Sequence, residues 1–387
     1  MLSFGYNTVG LTPLKVNWGV DVKLFLLHAI KTVPAITNSI NIFAFIFITF
    51  ASNLNKTNHH PMLETVFVNN IFAETASFEE KALALFRYQY ANNNVYRHWC
   101  SILNVDPSSI KKLSSIPFLP ISFFKTHRVV CGNFEPDVIF QSSGTTQTTN
   151  SRHFVKDVSL YKQSFLTAFS HFYGEAGQWC ILGLLPSYLE RKDSSLVMMV
   201  DELIKLSGEP DSGFYLYDID KLARTLRHLE KAAQPTILIG VTYALLDFAA
   251  QYPMPLKSTI IMETGGMKGK RKELTRQEVH SALKEAFGLQ QIHSEYGMTE
   301  LLSQAYSNGD GRFVCPHWMK VLVRDEEDPL KVKTSGKGVL NIIDLANIYS
   351  CAFIATDDVG IIGDDGSFEV CGRMDNSDIR GCSLLVV

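Results

Sequence analysis

The sequence predicts an α/β protein, a mostly parallel sheet covered by helices on both faces and followed by a strand-rich C-terminal portion. Three observations carry that reading. Short apolar runs of strand length alternate with helical apolar stripes between residues 137 and 294, the order of βαβ units. Two capping boxes, Ser77-Phe78-Glu79-Glu80 and Thr275-Arg276-Gln277-Glu278, mark helix starts, since each pair of side chains can satisfy the other's free backbone N–H. Beyond about residue 311 the helical spacing stops, and the turn pairs Asp310-Gly311, Ser335-Gly336 and Asp365-Gly366 separate strand-like runs.

Taken in order, Phe78, Ala82, Leu85 and Phe86 follow the first capping box at helical spacing. Residues 116–121 are extended, because Pro117 and Pro120 lack donors and push their predecessors toward β geometry. A strand is expected at 137–141, then a helix striped by Tyr161, Phe165, Ala168 and Phe172. A strand at 179–185 precedes a helix carrying Leu196, Met199, Val200 and Leu203, with Asp193 as its N-cap. Strands at 236–240 and 258–263 flank a helix at 243–251; the second capping box opens a helix ending near Gly288, and 290–294 is again a strand. No internal repeat or low-complexity tract interrupts this order.

Composition narrows the class. Of 387 residues, 46% are hydrophobic and 19% charged, which excludes disorder, collagen and coiled coil as the global state. Lys plus Arg number 36 against 39 Asp plus Glu, and a net charge of −3 argues against a nucleic-acid partner. The 7 cysteines form no C-x-x-C pair and have no histidine cluster to complete a zinc site, so the reading is a reducing, cytoplasmic compartment without a structural metal.

Residues 1–61 differ from the rest. The apolar run 42–50 is preceded by residues 33–41, which Pro34, Asn38, Ser39 and Asn41 interrupt. A membrane span needs roughly 20 apolar residues, so it must borrow that polar part. A secretory signal would start nearer Met1 and strand the following domain outside the cell. The third reading is an upstream extension, with Met62 as the true start. Membrane contact is expected only if residues 33–51 are a genuine span.

Four polar, glycine-containing stretches punctuate this architecture. Gln141-Ser142-Ser143-Gly144-Thr145-Thr146 follows a strand, where hydroxyls and main-chain N–H groups can nest an anion; it lacks the Gly-Lys-Ser/Thr of a Walker loop, and a solvated Ser/Thr loop is the plain alternative. Glu263-Thr264-Gly265-Gly266-Met267-Lys268-Gly269 ends another strand, and its glycines let a flat ring approach main chain, unless it is simply a turn. Ser294-Glu295-Tyr296-Gly297-Met298-Thr299-Glu300 offers a ring, a hydroxyl and a magnesium-type carboxylate. Thr356-Asp357-Asp358-Val359-Gly360 with Gly372-Arg373-Met374-Asp375 offers carboxylates and a permanent cation, although Asp and Gly are also what turns are made of.

In this order the stretches resemble the core motifs of the adenylate-forming enzymes, which include acyl-CoA ligases and firefly-type luciferases. The resemblance covers roughly residues 142–381. Ser-Ser-Gly-Thr-Thr, Thr-Gly-Gly-Met-Lys-Gly, Glu-Tyr-Gly-Met-Thr-Glu and the ending Ser-Asp-Ile-Arg-Gly-Cys-Ser-Leu are most similar to the bacterial acyl-protein synthetases, also called long-chain-fatty-acid luciferin-component ligases.

The resemblance implies an adenylate-forming large domain over 62–371 with a truncated hinge and tail over 372–387, using ATP and Mg2+. It implies that Ser142, Ser143, Gly144, Thr145 and Thr146 wrap the β- and γ-phosphates of ATP, that Gly265 and Gly266 border the adenine, and that Tyr296, with Gly297 beside it, stacks on it. Thr299 would meet the α-phosphate, Glu300 would bind magnesium, Asp358 would bond the ribose with Arg373 in support, and Asp375 would stand at the hinge. Asp357 stands where relatives commonly have Gly, which leaves open which of the two aspartates reaches the ribose. Relatives that make CoA esters continue into a lid domain bearing a catalytic lysine; here residues 376–387 follow, and Lys268 or Arg271 is the expected substitute.

Cys382, beside Arg380 and Gly381, matches the acyl-accepting cysteine of that family; a thiolate attacks acyl-adenylates well, and the plain alternative is a small hydrophobe in a terminal strand. The expected partners are a carboxylic acid, a fatty acid first, and an acyl-donor or acyl-acceptor protein. A phenylacetate-type CoA ligase and a non-catalytic nucleotide-binding module are the alternative readings. His153, His293 and His317 are read as core or polar histidines.

Overall fold

In the computed structural model, residues 67–68, 70–73, 76–142, 149–186, 190–265 and 274–374 are described. The chain divides between Leu54 and Asn55, and every described residue belongs to the second unit. Residues 1–61, and the boundary expected at Met62, lie outside the described residues.

The first capping box forms as expected: Ser77 N–H donates to Glu80 Oε2 and Glu80 N–H to Ser77 Oγ, each at 3.2 Å, opening α1 (Phe78–Asn92). Asn93 ends it and caps the next helix, α2 (Asn94–Ile102), by accepting Tyr96 N–H at 3.0 Å. The proline-bounded stretch is extended and contributes β1 (Leu119–Pro120), after which comes the short α3 (Phe123–Thr126). The strands β2 (Val138–Gln141) and β3 (Arg152–Val155) pair antiparallel, so the Ser/Thr/Gly stretch is the connection of a hairpin. Then comes α4 (Val158–Tyr173).

The alternation that follows builds a parallel sheet. Its elements are β4 (Cys180–Leu184), α5 (Ser195–Ser207), β5 (Gly213–Phe214), α6 (Ile219–Lys231), β6 (Thr236–Gly240), α7 (Thr242–Gln251), β7 (Thr259–Glu263), α8 (Arg276–Phe287), β8 (His293–Tyr296) and β9 (Ala305–Ser307). The order is β5-β4-β6-β7-β8-β9, parallel except for β9. Because strand side chains alternate, each strand feeds two cores. Leu182 and Leu184 of β4, Leu238 of β6 and Ile261 of β7 pack with Leu226 of α6, Phe248 of α7 and Phe287 of α8. Ile181, Ile237, Ile239 and Met262 face the other way, toward Phe165 of α4 and Val200 of α5. Helices on both faces are why these strands read as continuous apolar runs.

The C-terminal portion is antiparallel: β10 (Arg312–Phe313), β11 (Met319–Arg324), β12 (Val332–Lys333), β13 (Gly336–Asp344), β14 (Phe353–Ile362) and β15 (Phe368–Arg373), in the order β10-β15-β14-β13-β11-β12. The early strand β1 adds to β14 in parallel register, Leu119 opposite Ile354. All three expected turn pairs fall at positive φ, with Asp310 at 55°, Gly311 at 72°, Gly336 at 105° and Gly366 at 80°. Among the described residues no helix is long and apolar enough to cross a membrane.

Three expectations change, and two helices were not foreseen. Ser194, rather than Asp193, caps α5 by accepting Val197 N–H, while the Asp193 carboxylate pairs with Arg191 Nε at 3.0 Å. The strand expected at 290–294 is β8, at 293–296, because pairing with β7 begins only where His293 meets Met262. Asp357, Asp358 and Gly372 lie in strands rather than turns, since β13 and β15 pair on either side of β14. The helices α2 and α6 were not anticipated, although Leu222, Ala223, Leu226 and Leu229 make a regular buried stripe on α6.

Candidate active site

The chain leaves β4 for β5 on one side and returns through α6 to β6 on the other, which makes a topological switch point at β4. In open α/β sheets ligands bind outside the carboxyl ends of the strands at such a reversal. A cavity of about 360 Å³ lies there. Leu185 and Pro186 follow β4 into its wall, Val241 follows β6, Thr264 follows β7, and Gly297, Met298 and Thr299 follow β8, with the N-terminal turn of α5 completing the lining. A depression of about 450 Å³ near Arg97 and Arg128 shares no residue with it or with the motif segments.

The segment from Tyr296 to Glu300 serves two neighbourhoods. Gly297 to Thr299 face the cavity, whereas the Tyr296 hydroxyl donates to Asp358 Oδ2 at 2.8 Å. Arg373 Nε donates to the other oxygen of Asp358, also at 2.8 Å. Asp358 and Arg373 are register partners on β14 and β15, so the sheet itself sets this ion pair. The Tyr296 ring packs on Phe368 and Phe313, with centroids 5.3 and 5.7 Å away, and burial next to the Asp358 charge pushes its hydroxyl pKa well up. Asp358, not the half-buried Asp357, therefore holds this junction.

Glu300 is buried, and desolvation raises its pKa against the hydroxyl of Ser151 and the charges of Arg373 and Lys125, which favour the carboxylate. Ser151 in turn donates its N–H to Ser142 Oγ at 3.0 Å, which ties the base of the Ser/Thr/Gly hairpin to Glu300. Among the described residues no three His, Cys, Asp or Glu side chains group as a protein metal cage would need. A single carboxylate fits Mg2+, which takes one or two carboxylates from the protein and its remaining ligands from phosphates and water.

Behind this segment stands a buried polar scaffold. Asp344 accepts Leu302 N–H at 2.8 Å, Ser303 N–H at 3.1 Å, Ser303 Oγ at 2.6 Å and Ala346 N–H at 3.1 Å. Asn347 Nδ2 donates to the Glu300 carbonyl at 2.8 Å, and its Oδ1 lies 3.0 Å from His153 Nε2, while His153 Nδ1 lies 2.9 Å from the Thr299 carbonyl. Burial pushes the His153 pKa down to about 4, so the neutral ring supplies one donor to this pair of acceptors. Gln89 of α1 reaches across to the carbonyls of Asn347 and Ile348, at 2.8 and 2.9 Å, and accepts Ala352 N–H at 2.9 Å.

The structure thus brings together Tyr296, Glu300, Asp358 and Arg373, sets Ser142 behind Ser151, and places Gly297 and Thr299 on the cavity. Gly265 sits at the end of β7 with φ 78° and donates its N–H to Glu263 Oε1 at 2.7 Å. Ser143, Gly144, Thr145, Thr146, Gly266, Lys268, Arg271, Asp375 and Cys382 lie outside the described residues. His153 is a core histidine as expected, but its partners, together with Asp344 and Asn347, carry no local signal because they come from distant parts of the chain.

The sequence profile of a family described as acyl-protein synthetase, LuxE, matches residues 73–387. A long-chain-fatty-acid–luciferin-component ligase from Vibrio harveyi is 22% identical over 323 residues, covering 77% of this chain and 84% of that protein. Its counterpart from Aliivibrio fischeri is 23% identical over 345 residues, 81% of this chain and 89% of that one. Among solved structures, that of 2-hydroxyisobutyryl-CoA ligase in the postadenylation state aligns with a TM-score of 0.53 at 12% identity, over 81% of this chain and 68% of that chain, a likeness of fold. The chain belongs to the acyl-protein synthetase family, LuxE, an acid–thiol ligase family with the adenylate-forming fold.

Proposed function

We propose that this protein activates a carboxylic acid, a fatty acid foremost, with ATP, and passes the acyl group to a thiol, that of Cys382. The observation that carries the first half is the junction of Tyr296, Asp358, Arg373 and Glu300 beside a cavity at the carboxyl ends of parallel strands. The names of the two curated relatives support a long-chain fatty acid as the substrate class.

In the first step a carboxylate oxygen of the acid forms a bond to the α-phosphorus of ATP, the bond to the β-phosphate oxygen breaks, and pyrophosphate leaves with the electron pair. Nothing covalent is asked of the protein here; it positions the reactants and stabilises charge. Glu300 would hold Mg2+, which neutralises phosphate charge when bound. Thr299 and the hydroxyls of Ser142 to Thr146 donate to phosphate oxygens, Asp358 and Arg373 fix the ribose end, and Gly265, Gly266 and Tyr296 border the base. Lys268 or Arg271 supplies a cation to the transition state. In the second step the Cys382 thiolate attacks the acyl carbon and AMP departs with the former carboxylate oxygen.

Exchange of labelled pyrophosphate into ATP, measured across aliphatic and aromatic acids, tests the first step. Exchange that requires an acid is the expected result, and ATP binding without it would leave a nucleotide-binding module. Covalent capture of labelled acid by the wild type, absent from Cys382→Ser, tests the second.

A further inference from the structure

Between two of its register pairs the β13–β14 ladder is unequal. Val339 faces Val359 and Asn341 faces Ala355, so Leu340 alone on β13 stands against Thr356, Asp357 and Asp358 on β14. Bulges bend a strand and re-aim its side chains, and they gather next to active sites. Asp358 thereby has a ladder partner on one side only, Arg373 of β15. Its aim depends on how the mismatch on the other side is held.

Arg324, the last residue of β11, holds it. Its backbone pairs with Val339 on β13, and its guanidinium reaches past that strand to β14. Nη1 donates to the Leu340 carbonyl at 3.2 Å and to Asn341 Oδ1 at 2.7 Å, and Nη2 donates to the Thr356 carbonyl at 2.5 Å. Thr356 completes the brace: its hydroxyl donates to the Leu340 carbonyl at 2.8 Å and accepts Asp358 N–H at 3.1 Å. Thr356 and Asn341 are buried and Arg324 is half-buried, and the Asp357 charge favours the guanidinium against the cost of burial. A planar fork of donors serves acceptors on two strands at once, which a lysine ammonium, a point charge, matches only in part. Arg324 is none of the motif residues and forms no part of the cavity wall.

The Asp358 carboxylate keeps acceptor capacity for a ligand. Tyr296 uses one site on Oδ2 and Arg373 one on Oδ1, of about four lone-pair sites that a carboxylate offers. The sites left suit two neighbouring hydroxyls, provided that the carboxylate is held at a fixed angle. Resting on the nucleotide site proposed above, we propose that Arg324 is a positioning residue for ribose recognition: through Thr356 it braces the three-against-one bulge, fixes Asp358 to accept the 2′- and 3′-hydroxyls, and so sets a preference for ATP over 2′-deoxy-ATP. A site built to bond a hydroxyl rejects the analogue that lacks it, and a loosely held acceptor does so less.

Binding of ATP and of 2′-deoxy-ATP, each with Mg2+, to the full chain by isothermal titration calorimetry tests this. The wild type should bind ATP about tenfold or more tightly than the deoxy analogue. Arg324→Met should bring that ratio to within about threefold of one, and Arg324→Lys should restore part of it. Thr356→Val keeps the shape and removes the hydroxyl; it should lower the ratio as well, so the test stands even where Arg324→Met does not fold. Ile342→Ala, in the regular part of β13, should lower the melting temperature and keep the wild-type ratio. An unchanged ratio in Arg324→Met or Thr356→Val beside a lowered melting temperature would make the brace structural only and overturn the proposal. A ratio that falls equally in Ile342→Ala would overturn it too, as would equal binding of both nucleotides by the wild type. Acid-dependent pyrophosphate exchange reports separately on the activation reading: its absence with the binding ratios as expected would sink acid activation and leave the role of Arg324 standing.

Discussion

Asp358 and Arg373 face each other across β14 and β15 and close to 2.8 Å, with the Tyr296 hydroxyl taking the second oxygen of Asp358. The strand pairing joins the two halves of the fourth motif stretch, the Tyr296 hydroxyl ties the third to them, and burial decides how much each contact contributes. Tyr296→Phe leaves a buried carboxylate oxygen without its donor and should cost about 1–3 kcal/mol. The Arg373 side chain is 54% exposed, so Arg373→Ala should cost about 1 kcal/mol or less. Denaturant unfolding of both variants checks the order. In exchange kinetics the order should reverse, with Arg373→Ala raising the KM for ATP more.

His153 gives the fold an acid-side sensitivity. Its pKa is lowered on folding to about 4 by burial, so the unfolded chain takes up a proton near pH 6.5 that the folded chain refuses. Stability is fully present above pH 6.5 and falls as the pH drops from there to 4, by about 3 kcal/mol in all. Urea midpoints of wild type and His153→Gln across that window test it, and the variant should show a flatter profile.

Glu295 acts in the opposite sense. Burial, then the Glu263 charge, raises its pKa to about 8, so its contribution is present below the ordinary carboxylate range and is lost as the pH rises to 8. Glu295→Gln should gain on the order of 5 kcal/mol over wild type at pH 9 and little at pH 4. Gly297→Ala requires only the flexible end of Glu295 to swing aside and should cost about 1 kcal/mol or less, recovered in the double variant with Glu295→Ala. Thermal unfolding of the four proteins of that cycle measures the coupling.

Local chemistry made the helices and the parallel sheet legible. The Ser77 and Thr275 boxes, the apolar runs of β4, β6 and β7 and the glycine ending α8 each act within a few residues. The same locality misplaced Asp357 and Asp358, whose composition suggests a turn while neighbours on both sides impose a strand. The order of the motifs named Tyr296, Glu300, Asp358 and Arg373 before their contacts were visible. The scaffold behind them was not legible, because His153 and Asn347 lie 194 residues apart and nothing local marks either.

Cys382 separates the two proposed steps. Cys382→Ser should retain acid-dependent pyrophosphate exchange within about twofold and lose more than about 90% of the covalently bound acyl group, because the hydroxyl is far less ionised than a thiol near neutrality. Intact-protein mass spectrometry after incubation with ATP and acid reads the adduct directly.

The most direct measurement follows oxygen. With an acid labelled with ¹⁸O in its carboxylate, attack on the α-phosphorus carries one labelled oxygen into AMP once the acyl group has moved on. AMP heavier by one label is the predicted result. Unlabelled AMP, or label found in inorganic phosphate beside ADP, would contradict acyl-adenylate formation.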